Sequence, residues 1–586
     1  MMLNKVKISE SRLAIVLGLG LFVSVSMFAN GPDTLWTRTF GGIDVDEAYS
    51  VQQTQDGGYI IAGRTYSHGA DSDDVYLIKT DANGDTLWTK TFGGGNYDRG
   101  FSVQQTKDGG YIIAGCTQSY GAGYYWDVYL IKTDANGDTL WTKTYGGWSD
   151  DWGNSVQQTQ DGGYIIAGYS AGDVYLIKTD ANGDTLWTRT FGGPDYDYGN
   201  SVQQTQDGGY IIAGRTDSYG AGYYDVYLIK TDSLGDTLWT KTYGGSDYDA
   251  SFSVQQTLDG GYIIAGYTKS YGAGYYDVYL IKTDSLGDTL WTRTFGGSDE
   301  DEAYSVQQTQ DGGYIIAGRT YSYGAGNYDV WLIKTDANGD TLWTRTFGGG
   351  SYDRGFSVQQ TKDGGYIIAG RTESYGAGGS DVWLIKINPV KLISPDGGEA
   401  WAGGSYHNII WHCEDTTVVD HCRLLYSTDG GSSYPDTIAQ NIPNTDTSYL
   451  WTLPPINSTT CRVKIQILDS LNNVVSEDES DADFTISPSG IEETATLTPK
   501  TFFISQNFPN PFTGITRIRY GVPGDVDVNI SVYNLLGQKV ATLVNGNKKA
   551  GYYTVTWDGS KLSAGIYFIR FKAGEYNKTL KAMLMK

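Results

Sequence analysis

The chain has 586 residues, with 79 Gly, 47 Tyr and 16 Trp against 13 Pro, and a net charge of −25. That charge excludes nucleic-acid binding through a general basic field, and this much aromatic content excludes a disordered chain. After the first 30 residues no long stretch carries a 3.6-residue apolar period, so the expected fold is all-β.

The chain opens with Lys5, Lys7 and Arg12, followed by an uncharged, mostly apolar run over 13–29. This is the pattern of a signal peptide (1–29) with cleavage after Ala29, and it places the mature chain outside the cytoplasm.

Internal repetition dominates residues 33–388. S-V-Q-Q-T-x-D-G-G-Y-I-I-A-G starts at Ser50, Ser102, Ser155, Ser201, Ser253, Ser305 and Ser357; D-T-L-W starts at Asp33, Asp85, Asp138, Asp184, Asp236, Asp288 and Asp340. A period of 52 or 53 residues, with a single 46, suits four short strands per unit and hence a seven-bladed β-propeller. In the first unit the expected strands are 50–54, 59–63, 75–80 and 86–91. Asp56-Gly57-Gly58 and Asn83-Gly84 supply tight turns between them. The second strand reads as buried on both faces, and the third as alternating. Trp88 is large enough to fill the space between blades.

The longer connection from Phe92 to Ser102 must be the step between blades. On that phase the last unit, 357–387, has three strands, and the orphan segment 33–40 is its fourth. The N-terminal strand is therefore expected to close the ring.

The repeats differ mainly in the loop joining the second and third strands and in the loop between blades. Both emerge on one face of the disc, where a ligand is expected. That face is rich in rings: Tyr120, Tyr124, Tyr125, Trp126, Tyr219, Tyr223, Tyr224, Tyr271, Tyr275, Tyr276, Tyr323, Tyr328 and Tyr375. Such rings suit sugar or peptide ligands, or else pack against one another to hold the loops. The acidic inter-blade residues Asp44, Asp46, Glu47, Asp299, Glu300, Asp301 and Glu302 offer oxygen ligands of the kind calcium takes, yet their spacing matches no calcium loop. They read as solvated surface charge. One Gln of each pair, such as Gln52 and Gln53, should line the central channel.

Near-identical blades do not bring unlike catalytic groups together, and His68 is the sole propeller histidine. No enzyme is expected. The stretch from Leu77 to Trp88, with its D-x-N-G-D-T-L-W core, resembles the Trp-containing blade motif of pyrroloquinoline-quinone dehydrogenases. That resemblance implies blade packing. The family's cofactor site needs further residues, including in some members adjacent bridged cysteines, and the chain has none.

Residues 389–487 read as about seven short strands, which fits a β-sandwich and resembles Ig-like or fibronectin-like surface modules. Cys413, Cys422 and Cys461 fall here, and an exported compartment permits one disulfide among them. His407, His412 and His421 lie nearby without the paired spacing of a zinc site. Ser427-Thr428-Asp429-Gly430-Gly431-Ser432-Ser433-Tyr434 resembles the Asp-box hairpin of sialidases, which implies a structural turn and no sialidase activity.

A linker follows over 488–504. Residues 505–586 carry 8 Lys and 3 Arg against 3 Asp and 1 Glu, a net +7 on a chain that is otherwise −32. A basic end on an acidic body suggests an anionic partner. Asn510, Pro511 and Phe512, then Gly537, Gly551, Trp557, Gly565 and Tyr567, mark an order of motifs that resembles the C-terminal sorting domain of the type IX secretion system, itself similar to the Ig-like domain of flagellar hook-capping proteins. The resemblance implies passage through the outer membrane of a Bacteroidetes-like bacterium, possible removal of the domain, and attachment to surface lipopolysaccharide.

Overall fold

In the computed structural model the described residues are 33–488, less 71 and 415–419, and 502–584, less 505, 506, 508–511, 513, 536 and 575. The leader, the cleavage position Ala29, most of the linker, and Asn510 and Pro511 lie outside them. Two compact units are present, Met1–Ser487 and Pro488–Lys586. Among the described residues every regular element is a strand.

Seven four-stranded antiparallel sheets fill the first part of the larger unit. Blade 1 consists of an inner strand Asp46–Gln53, then Tyr59–Thr65, Asp74–Thr80 and an outer strand Thr86–Phe92. Blades 2 to 6 repeat this pattern. In blade 7 the outer strand is Thr34–Phe40, which pairs antiparallel with Asp381–Ile387, setting Phe40 opposite Val382 and Trp36 opposite Lys386. The orphan N-terminal strand thus closes the ring, as its sequence predicts.

Two strand expectations need correction. The inner strand starts at Asp46 rather than at residue 50, so residues expected in a loop are in the sheet. The third strand does not alternate: all seven residues of Asp74–Thr80 are buried. Each blade is clamped between two others, so both faces of its middle strands are covered.

The propeller has no single core. Apolar side chains gather in layers between blades, such as Val51, Tyr59 and Ile61 of blade 1 with Ile367, Val382 and Leu384 of blade 7. Each outer-strand Trp leans edge-on toward the first Tyr of the next blade's second strand, Trp88 on Tyr111 at 5.9 Å and Trp36 on Tyr59 at 5.8 Å. The aromatic of D-T-L-W therefore fills the inter-blade gap.

The S-V-Q-Q motif stitches the layers together. The backbone N–H of Gln105 donates to Gln52 Oε1 of the preceding blade at 2.6 Å, and that of Val103 donates to Ser50 Oγ at 3.2 Å. The second Gln reaches the other way: Gln55 N–H donates to Gln105 Oε1 at 2.9 Å. The ring returns on itself where Gln53 N–H donates to Gln359 Oε1. The seven first glutamines, with the seven valines before them, line the central channel.

The constant turns are equally determined. Asp56 accepts from Gly58 N–H at 3.0 Å and pairs with the buried Lys79 at 2.9 Å. The equivalent ion pair recurs down to Lys386 and Asp363 at 2.8 Å.

The rest of the larger unit is a β module of two sheets, one formed by Val390–Ser394, Tyr406–Cys413 and Ser448–Thr452 and the other built around Ser458–Leu468. Its core includes Leu392, Trp411, Leu424, Val463 and Phe484. It packs against the propeller: Trp343 Nε1–H donates to Glu414 at 2.8 Å, and Lys391 pairs with Asp33 at 2.8 Å. The module is therefore docked on the propeller. Cys422 lies opposite Ile467, six residues from Cys461 along the same strand. That is about 20 Å, far beyond bridging distance. The Asp-box hairpin forms, with Ser433 N–H donating to Asp429 at 3.0 Å and Tyr434 to Glu479 at 2.7 Å. His407 stacks on Trp401, while His412 and His421 bond to Glu414 and Asp420.

Asp478 sits in the seam between module and propeller, accepting from Leu392 N–H at 2.6 Å. Burial, with help from Asp33 and Asp481, pushes its carboxyl up to about 6. A carboxyl raised above its unfolded value favours the fold at low pH, and that contribution is lost as pH rises from about 4 through 6. Asp478→Asn keeps an acceptor for Leu392 and removes the charge. It should stabilise the chain at pH 7 by roughly 1–3 kcal/mol and flatten the fall in melting temperature between pH 4 and 7. An equal fall in both proteins would refute the assignment.

The smaller unit pairs Ile515–Val522 with Gly551–Asp558 in one sheet, and sets Val526–Asn534 between Lys539–Lys548 and Gly565–Ala573 in the other. Phe512, Trp557 and Tyr567 meet in its core, with ring centroids 4.9 and 5.5 Å apart. Gly537 takes a positive φ of 75° in the Asn534–Gln538 turn, where a Cβ would be strained.

Candidate functional site

The two variable loops do share one face, opposite the Asp-Gly-Gly and Asn-Gly turns. The sequence variation also runs down into the strands, because the inner strand starts earlier than expected. Its second residue and the sixth residue of the second strand form a direct cross-strand pair in every blade. Around the ring these pairs are Glu47–Arg64, Arg99–Cys116, Trp152–Tyr169, Tyr198–Arg215, Ala250–Tyr267, Glu302–Arg319 and Arg354–Arg371. The pair thus changes from blade to blade, blades 1 and 6 alone sharing one, at the mouth of a channel whose opposite half is seven-fold repeated.

The acidic inter-blade residues correct another expectation. Asp44 and Asp299 are solvated, but Asp46, Glu47, Asp301 and Glu302 are buried. Asp46 accepts from Gly42 N–H at 2.8 Å and Ser67 Oγ–H at 2.6 Å. Glu47 bonds to Arg64 at 2.9 Å and also to Arg371 and Tyr49. Burial raises its carboxyl, but the two guanidinium groups outweigh that and hold it at about 2. Arg64 also pairs with Asp73 at 2.8 Å, which bonds Arg99 at 3.0 Å. Glu302 pairs with Arg319 at 2.6 Å. Glu47 and Glu302 neutralise half-buried arginines, Asp46 and Asp301 tie down the inter-blade loops, and none of the four faces solvent.

The ringed face divides its aromatics by position in the loop. Tyr120, Tyr219, Tyr271, Tyr323 and Tyr375 are braces: each hydroxyl donates to the glycine carbonyl that starts the inter-blade loop, as Tyr120 does to Gly93 at 2.7 Å. Tyr124, Tyr125, Tyr223 and Tyr275 are exposed at the loop tips, Tyr124 almost completely (97%). The last ring of each loop turns onto the cross-strand pairs. Trp126 lies 5.2 Å from the Arg99 guanidinium, Tyr224 4.6 Å from Arg215 and Tyr328 4.1 Å from Arg319, while Tyr276 sits 4.8 Å from Tyr267.

Two inner-strand residues further in, a second ring tightens the passage. Tyr304, Phe356, Tyr49 and Phe101 contact one another in order at 5.1, 5.3 and 5.4 Å. On the other side Asn154 and Asn200 take their place and donate to Gly199 O and Ser251 O. The mouth is therefore lopsided, with charge and phenyl rings on one side and Trp152, Tyr169 and Tyr198 on the other. Tyr169 and Tyr198 stack at 4.5 Å.

Sequence reasoning named the loop rings and missed the pairs. The signal was available: the residue three positions before each S-V-Q-Q is Glu47, Arg99, Trp152, Tyr198, Ala250, Glu302 or Arg354, inside an otherwise constant repeat.

Comparison with known proteins decides the other end of the chain. Residues 506–585 match the family described as the secretion system C-terminal sorting domain. The chain ends in a sorting domain of the type IX secretion system. It is therefore an exported protein of the cell surface or the medium. Regulatory protein FlaEY of Caulobacter vibrioides is 28% identical over 178 residues, covering 26% of this chain and 18% of that protein; the chain thus spans about a fifth of that relative. Among solved structures, PorZ of Porphyromonas gingivalis, described as an essential surface component of its type IX secretion system, aligns over 94% of this chain and all of its own at 10% identity and a TM-score of 0.14. Sqt1 of Chaetomium thermophilum aligns over 58% of this chain and 82% of its own at 12% identity and a TM-score of 0.35. At these scores neither likeness bears on function.

Proposed function

We propose that the chain is a non-catalytic binding or adhesion protein that engages glycans or proteins through the variable face of its propeller, while the sorting domain engages the outer-membrane secretion machinery and surface lipopolysaccharide. One observation carries this reading: difference among the blades is concentrated around a single channel mouth, while the interfaces and the opposite face are repeated. A fold that needed only stability would have no use for six kinds of cross-strand pair at one level of the ring. The groups there are arginines, carboxylates and flat rings, which recognise polar ligands. Ion pairs occupy the carboxylates of Glu47 and Glu302, and among the described residues of the mouth no nucleophile and base are assembled.

The test is a glycan-array screen of the full chain, with capture of surface proteins in parallel. Retention of a defined set of ligands is expected, competed by changes at Trp152 or Tyr224. A blank array with no captured protein would overturn the proposal, as would cofactor absorbance in the purified chain.

A further inference from the structure

Blade 7 differs from the others at the mouth. Its cross-strand pair is Arg354 opposite Arg371, like charges directly across an antiparallel ladder, an arrangement that costs stability. Arg371 is compensated by Glu47 of blade 1. Arg354 is not: among the described residues no carboxylate lies within ion-pairing distance of it, and its buried Nε–H has no acceptor. Its guanidinium lies over the Tyr328 ring at 5.4 Å. Burial and the neighbouring Arg319 and Arg371 together lower its affinity for its proton. Unpaired, half-buried guanidinium flanked by two more is a cost that an anionic ligand would remove.

Two blades show that the cost is avoidable. At the same position blades 1 and 6 carry Glu47 and Glu302, each paired with the arginine across the ladder. Arg215 on the opposite side repeats the theme. It has no carboxylate partner among the described residues, and its guanidinium lies between the rings of Tyr198 and Tyr224 at 4.4 and 4.6 Å, with Nε–H buried and unbonded. Trp152 Nε1–H is also buried without an acceptor. Arg319 and Arg371 Nε–H are likewise buried without an acceptor, so the cross-strand pairs hold five unsatisfied donors; the unbonded carboxylate oxygens, such as that of Asp353, belong to the aspartates that brace the loops beside them.

Resting on the binding role proposed above, we infer that the mouth binds an acidic sugar, its carboxylate held by Arg354 and its ring set against the aromatic side of the mouth at Trp152. Guanidinium forks recognise carboxylates in two-point geometry, and flat rings offer a sugar an apolar face. An acidic peptide fits less well. Peptides dock on free strand edges, whereas the inner-strand amides at the second Gln positions are already taken by glutamine side chains.

The test titrates the full chain with trigalacturonate, sialyllactose, lactose and triglutamate, in wild type and Arg354→Glu. The variant copies blades 1 and 6, so it should fold, with a melting temperature equal to or above that of wild type. Expected is binding of one acidic sugar at least about tenfold tighter than lactose, lost in Arg354→Glu and weakened by salt. Acidic-sugar binding that survives Arg354→Glu, equal binding of lactose, or binding of triglutamate alone overturns the inference and leaves the binding role standing. No binding by any of the four overturns the inference, and with a blank array and no captured protein overturns both.

Discussion

A chain lacking residues 33–42 should melt at least roughly 10 °C lower than the intact protein. The deletion removes Thr34–Phe40, the outer strand of blade 7. It leaves Asp381–Ile387, whose seven residues are all buried, as an open edge. It also removes Trp36 and Phe40 from the layer between blades 7 and 1. Burial of two large aromatic side chains contributes about 3–5 kcal/mol, and loss of the ladder bonds adds to the cost. The newly exposed edge should promote association, seen as a concentration-dependent elution volume. An unchanged melting curve would count against closure by this strand.

A reporter fused to residues 488–586 should leave a host that has the type IX machinery, and should stay in the periplasm of a host without it. The effect is expected to be all-or-none because the family match covers residues 506–585 of the smaller unit, which hold its core. Trp557→Ala serves as the internal control. Trp557 is 1% exposed and packs on Phe512 and Tyr567. Its loss should cost about 3–5 kcal/mol and abolish export of the same fusion. Periplasmic retention of the unaltered fusion in the competent host would sink the assignment.

Much of the propeller was legible because repetition reports on packing seven times over. The blade count, the orphan strand and the gap-filling Trp88 follow from spacing and residue size alone. The inner strand was read four residues too short because its first half is where the repeats disagree, and a broken pattern looks like a loop. The same misreading placed Asp46 and Glu47 in water: the arginine partners of Glu47, Arg64 and Arg371, are 17 and 324 residues away, and no local pattern announces them. The docked middle module escaped notice for the same reason, since Trp343 and Glu414 meet only in three dimensions.

The glutamine stitching has a consequence for how the ring reaches its final form. At the level of the glutamines every blade presents the same donors and acceptors to its successor, so these contacts carry no information about which blade is which, unlike the ion pairs of the mouth such as Glu47 with Arg371. Order is kept by chain connectivity, and the joint of Thr34–Phe40 with blade 7 pairs strands from opposite ends of the propeller sequence. Two chains folding side by side can therefore trade that strand and rebuild the same ladder with Asp381–Ile387. The N-terminal strand is then the natural lever for strand-exchanged dimers, and a crowded exit site on the cell surface is where such exchange would be favoured.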